Sequence, residues 1–310
     1  MTTALYSHAS ALEHVTPPGH PESTYRYEAI MSALEAEQFA ALDRRPAPMA
    51  ERSEVLRCHP EVYVDRVEAA IPISGTVALD GDTNVVAGSL EAALRGLGGC
   101  LDAVDSVING DISNAFVAMR PPGHHAETAT AMGFCLFGNA AIAAKRGLDE
   151  HGLERVAVLD FDVHHGNGTQ DLLWDEKRTL FASSHQMPLY PGSGATHETG
   201  AHANVLNVPL PPMSGSAEMK KAWGDLILPA VSDFEPQLII ISAGFDAHAA
   251  DPLANLNWTT EDFAWLTHAI CDVADEHAQG RVVSTLEGGY DLNALAASVA
   301  AHVSVLMERG

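Results

Sequence analysis

Asp160, Asp162, His164 and His165 follow directly on the apolar run Val156, Ala157, Val158, Leu159. Carboxylates buried at the end of an apolar strand are costly unless a positive charge meets them. Asp162 and His164 lie two residues apart in what reads as the extended end of that strand, so their side chains point the same way and reach one ion. Asp246, after the apolar stretch QLIIISAG at 237–244, supplies a third ligand. Two carboxylates and one imidazole suit Zn2+ or Fe2+, and three protein ligands leave positions open for water and substrate.

His124 and His125 stand in a stiff Pro-Pro-Gly loop. Two imidazoles beside a metal-bound water can divide the work of general base and general acid. Each needs an acceptor on its other ring nitrogen, and Asp160 and Asn167 are the candidates. A carboxylate raises imidazole basicity more than an amide does, which would set the two histidines apart. Tyr290 follows Glu287-Gly-Gly, where glycines free the backbone to aim its hydroxyl at the metal and at a developing oxyanion.

Elements that could hold these groups recur along the chain. Apolar runs predict strands at 4–7, 114–119, 155–161, 179–183, 237–242 and 281–286, the first at a sheet edge. Ala-rich helical stretches fall near 22–36, 60–70, 88–108, 134–150, 217–233, 260–277 and 291–308. Continuous apolar strands alternating with helices indicate a mostly parallel sheet covered on both faces, hence one doubly wound α/β domain over residues 1–310. The polar loops RPPGHH, DVHH, GFDAH and EGGY each follow the carboxyl end of a strand, which is where open parallel sheets bind ligands. Residues 43–54 read as a solvated face or loop.

The formal charge of −24 argues against sequence-independent nucleic-acid binding and favours small or cationic partners. The four cysteines form no CxxC pair, which fits a reducing cytoplasm. The first ten residues lack the basic and apolar regions of a signal peptide, and no apolar run approaches the length of a membrane span. Self-association into a homo-oligomer stays open. The other histidines, among them His14, His59, His185 and His302, read as satisfied core or loop groups.

Eight ordered segments carry a resemblance: PPGHPES (17–23), HPEVYV (59–64), RPPGHHA (120–126), GFCLFGNAAIAA (133–144), LDFDVHHGNGTQ (159–170), YPGSG (190–194), SAGFDAHAADPL (242–253) and LEGGYDL (286–292). Together they make the chain similar to the histone deacetylase superfamily of arginase-like deacetylases, and within it to the bacterial class II-like histone deacetylase-like amidohydrolases. The resemblance implies Zn2+ on Asp162, His164 and Asp246. It implies His125 as general base, His124 as electrostatic partner, and Asp160 and Asn167 behind them. Asn at the latter position is the class II-like variant where the family often has Asp. Tyr290 would polarise the carbonyl, and Gly133, Phe134 and Tyr190 would line an acyl-lysine tunnel. A structural K+ is implied near the backbone of Asp160, Asp162 and His164, with Ser183 and Ser184. Asp82 would match a rim aspartate that holds substrate backbone. The reaction implied is hydrolysis of an N-acyl, chiefly N-acetyl, amide of lysine or a related amine. Acetylpolyamine hydrolysis is the alternative, although Leu253 stands where polyamine-selective relatives place a carboxylate. An inactive acyl-lysine-binding module and a two-manganese ureohydrolase are the readings from other classes.

Overall fold

The structure is a computed structural model describing residues 2–310. Its strands are β1 (Thr3–Ser7), β2 (Asp43–Pro46), β3 (Val77–Ala78), β4 (Asn84–Val85), β5 (Asn114–Val117), β6 (Val156–Asp160), β7 (Thr179–Gln186), β8 (Val205–Leu210), β9 (Leu238–Ala243) and β10 (Val282–Leu286). Eight of them form one parallel sheet in the order β2-β1-β5-β10-β9-β6-β7-β8, and β3 and β4 pair antiparallel on their own.

The α-helices are α1 (Thr24–Ala33), α2 (Arg52–Val55), α3 (Glu61–Ala70), α4 (Ser89–Asn109), α5 (Asn139–Asp149), α6 (Asn167–Leu173), α7 (Ser216–Ala222), α8 (Leu228–Phe234), α9 (Thr260–His277) and α10 (Leu292–Glu308). They cover both faces of the sheet. Leu5, Phe116, Leu159 and Ile241 point to the side of α1, α9 and α10. Their strand neighbours Ala4, Val117, Val158 and Ile240 point to the side of α4 and α5. This alternation lets strands apolar at nearly every position bury both rows at once.

Four departures from the sequence reading have physical causes. Residues 43–54 are not a plain solvated loop: β2 pairs with β1 through the backbone of Asp43–Pro46, whose exposed Arg44 and Pro46 side chains gave no apolar signal. The sheet edge is therefore β2, and β1 lies one strand in. β8 also carries an edge, and in its sequence VLNVPL the polar Asn207 and the Pro209 interrupt the apolar run that would have marked it. The helix expected from 134 starts at Asn139, because Gly133 and Phe134 both adopt left-handed backbone, with φ of 55° and 70°. Helices α7 and α8 are joined by a π-helical turn, Trp223–Ile227, within the stretch read as one helix.

The arrangement matters for the site. β5, β10, β9 and β6 are the four central neighbours, and their carboxyl ends open into the four polar loops. Segments more than 160 residues apart in sequence, such as Gly123 and Glu287, thus meet at one rim.

Candidate metal centre and pocket

Asp162, His164 and Asp246 are all buried, and each offers a ligand atom within 4.8 Å of the others. His164 Nδ1 lies 3.1 Å from Asp162 Oδ1 and 3.1 Å from Asp246 Oδ2. Asp162 and His164 do not converge through strand alternation, as the two-residue spacing suggested, because β6 ends at Asp160. The chain turns instead. Asp162 N–H donates to Asp160 Oδ1 at 3.0 Å and His164 N–H donates to Asp162 Oδ1 at 2.9 Å. Local side-chain-to-backbone bonds of this kind replace the ladder where a strand gives out. From the facing segments, Val163 N–H donates to Asp246 Oδ1 at 2.8 Å and Gly288 N–H to Asp162 Oδ2 at 2.8 Å.

Arginine and lysine are absent from this ring of contacts, so two buried carboxylates face each other with only an imidazole between them. That donor set, oxygen and nitrogen atoms around one point with no fixed cation, fits a divalent metal of the zinc or ferrous kind.

His124 and His125 stand beside it with ring centroids 4.0 Å apart. His124 Nδ1 bonds Asp160 Oδ2 at 3.0 Å, and its Nε2 lies 3.8 Å from Asp162 Oδ2. Burial opposes a charge on His124, but Asp162 and Asp160 hold it well above the ordinary imidazole range. His125 Nδ1 bonds Asn167 Oδ1 at 2.7 Å. Asn167 Nδ2 donates to Glu127 Oε1 at 2.7 Å, which leaves Oδ1 as the amide's acceptor toward the histidine. His125 therefore carries its proton on Nδ1 and keeps the Nε2 lone pair free. Burial, then the neighbouring charge of His124, pushes His125 well below the ordinary range.

Above these groups opens a cavity of about 260 Å³ lined by Asp82, His125, Gly133, Phe134, His164, Leu189, Tyr190, Leu253 and Tyr290. A Cβ on Gly133 would fall 2.3 Å from His125 Cδ2, so only glycine lets that wall approach the ring. Phe134 N–H donates to Thr83 Oγ1 at 3.0 Å, tying this wall to the turn that carries Asp82. Tyr190 stands edge-on to His125 at 5.2 Å, and Phe134 edge-on to Tyr290 at 6.0 Å. Burial, reinforced by Asp246 and Asp162 against a nearby Arg26, raises the Tyr290 phenol well above its ordinary value. The cavity thus gathers Asp82, Gly133, Phe134, Tyr190, Leu253 and Tyr290 from five separate stretches of chain. Asp160 stands opposite Ser183 in the sheet register; Ser183 Oγ bonds His185 Nδ1 at 3.0 Å and Ser184 Oγ accepts from Trp223 Nε1 at 2.9 Å.

Several supporting groups escaped the sequence reading. Glu287 Oε2 accepts from the backbone N–H of Gly123 at 2.7 Å and of His124 at 3.1 Å, holding the histidine-pair loop. Its signal, a lone carboxylate closing an apolar strand, is the one Asp160 showed. Glu22 receives Arg120 through Nε at 2.5 Å and Nη2 at 2.6 Å, and Arg26 Nη1 at 3.2 Å; all three are fully buried. The spacing of Glu22 and Arg26, four apart at the head of α1, was the available hint.

Comparison with known proteins identifies the family and the fold. The family model described as histone deacetylase domain matches residues 20–306. A probable deacetylase of Archaeoglobus fulgidus is 38% identical over 94% of this chain and 82% of its own. The histone deacetylase-like amidohydrolase of Pseudomonas aeruginosa is 40% identical over 89% of this chain and 74% of its own. The crystal structure of the HDA15 HD domain superposes with a TM-score of 0.94 at 33% identity, covering 99% of this chain and 88% of that one. The chain belongs to the histone deacetylase family, and its fold and relatives support deacetylase or amidohydrolase chemistry. No helix among the described residues is long and apolar enough to cross a membrane.

Proposed function

We propose that the protein hydrolyses the N-acetyl amide of a lysine side chain or a related primary amine, with one Zn2+ held by Asp162, His164 and Asp246. The observation that carries this reading is the convergence of those three donors beside a cavity whose wall bears both His125 and Tyr290. A divalent cation in that position supplies Lewis acidity toward the amide carbonyl and makes water acidic enough to attack near neutral pH.

The chain's own groups account for the proton movements. His125, neutral with Nε2 free, accepts the proton of the attacking water and returns it to the leaving nitrogen. His124, bonded through Nδ1 to Asp160, would steady negative charge as the carbonyl carbon becomes tetrahedral. Tyr290, still protonated at neutral pH, donates to the carbonyl oxygen as it gains charge. The amide and one water become acetate and an amine that leaves protonated. Gly133, Phe134, Tyr190 and Leu253 form the walls along an extended aliphatic chain, and Asp82 stands at the mouth as an acceptor for a substrate amide. An apolar Leu253, rather than a carboxylate, favours acyl-lysine over an acetylated polyamine. A structural K+ near the backbone of Asp160, Asp162 and His164, with Ser183 and Ser184, and a cytoplasmic setting belong to the same reading.

The test is acetate release by the zinc-replete enzyme from acetyl-lysine peptides and from acetylated polyamines, with Asp162→Ala as control. Turnover of the peptides that vanishes in the control is the expected result. Turnover of polyamines alone reassigns the substrate, and no acetate from either class overturns the proposal.

A further inference from the structure

The Glu287–Tyr290 segment has no regular secondary structure, yet its backbone is anchored at every step. Glu287 N–H donates to Ala243 O at 2.9 Å. Gly288 N–H goes to Asp162, and Gly288 O accepts from Phe245 N–H at 3.0 Å. The Arg26 guanidinium donates to the carbonyls of Glu287 and Gly289 and lies 5.0 Å over the Tyr290 ring. The last anchor before the ring is Asp251, whose Oδ2 accepts from Tyr290 N–H at 2.7 Å. The other oxygen of that carboxylate accepts from Leu253 N–H at 3.0 Å.

Asp251 is 8% exposed and is fixed at its own backbone by donation to His248 O at 2.9 Å. One buried carboxylate therefore spans the two segments that supply Leu253 and Tyr290 to the cavity wall. Leu253 is exposed at the cavity, and its loop has no regular secondary structure, so its position depends on such a tie.

We propose that Asp251 is a positioning residue that sets the phenol of Tyr290 and the Leu253 wall as one unit, so that tunnel width and carbonyl polarisation are fixed together. This rests on the role assigned above to Tyr290. Asp251 touches no reacting atom; it acts through the backbone of the residue that does. Displacing such a group by about 1 Å is enough to cost about 100-fold in rate.

The test is a double-mutant cycle on the zinc-loaded enzyme with an acetyl-lysine peptide, measuring kcat, KM and bound metal for wild type, Asp251→Ala, Tyr290→Phe and the double variant. Asp251→Ala is expected to lower kcat about 100-fold with metal content unchanged. In the Tyr290→Phe background the same change is expected to lower kcat by no more than about threefold, because coupled residues do not add. Asp251→Asn, with the same volume and one acceptor oxygen kept, is expected to lie between and carries the comparison if the alanine variant does not fold. An unchanged kcat in Asp251→Ala, or an equal loss in both backgrounds, overturns the proposal. Wild-type kcat in Tyr290→Phe alone overturns the reading beneath it instead, so the two failures are told apart.

Discussion

Glu22 and Asp162 are both carboxylates with almost no exposed surface, and what lies opposite each of them differs. Around Glu22 the chain provides its own cations: Arg120 and Arg26 bond both oxygens, and His14 Nε2 approaches to 3.6 Å. Around Asp162 it provides a second carboxylate, Asp246, with imidazoles and backbone N–H groups. An isolated buried charge costs several kcal/mol after relaxation. Where the loop beneath the histidine pair must simply stay in place, the compensating charge is covalently part of the protein. Where the proposed chemistry would happen, it would be left to a bound cation that could also hold water and substrate.

The largest effect expected from this contrast is at the second group. Asp162→Ala or Asp246→Ala should leave a folded protein without bound metal and without turnover, read by elemental analysis and acetate release. Full metal content in either variant would erase the distinction. Glu22→Gln strands two buried guanidiniums and should cost about 3–5 kcal/mol in a denaturant melt. The fraction that stays folded should still bind one metal per chain. Smaller again is the effect of the ion on stability: zinc at 100 times its dissociation constant should add about 2.7 kcal/mol to the wild type and nothing to Asp162→Ala.

The effect that sharpens the comparison most is in pH. Burial alone would raise the Glu22 carboxyl, but Arg120 overrides it and holds it at about 2, against an ordinary 4.5. A depressed carboxyl gives stability that is complete above pH 4.5 and is lost as pH falls toward 2. Glu287 behaves in the opposite sense: burial pushes it up to about 7. The metal-free folded chain then keeps a proton that the unfolded chain has released, so stability declines as pH rises from 4.5 through 7. Melts over a pH series should show Glu22→Gln flattening the acid limb and Glu287→Gln flattening the other.

The candidate metal-binding trio, the neighbouring histidine pair and the strands leading to them could be picked out in the sequence because each polar group interrupts a run of apolar residues. β5, β6, β9 and β10 are buried along their whole lengths, and such strands announce themselves. The edge strands β2 and β8 did not: β2 is Asp-Arg-Arg-Pro with no apolar signature, and β8 is interrupted by Asn207 and Pro209. The hairpin of β3 and β4, with two residues in each strand, is too short for any periodicity to show. What stayed hidden at the site were partners made across the fold. Glu22 reaches Arg120 across 98 positions and Asp251 reaches Tyr290 across 39, and no local pattern encodes such pairings. The convergence of Asp162 with His164 was read correctly in outcome but for a different geometric cause, a pair of side-chain-capped turns in place of an extended strand.

Gly288 contributes one N–H bond and no side chain, yet a Cβ there would sit 2.1 Å from Asp246 Oδ2 and 2.5 Å from Asp162 Oδ2. Even alanine would wedge the two carboxylates apart. A mutational scan of this protein should therefore record an intolerant position that carries no side chain, where the room left for the neighbours is what any substitution would take away.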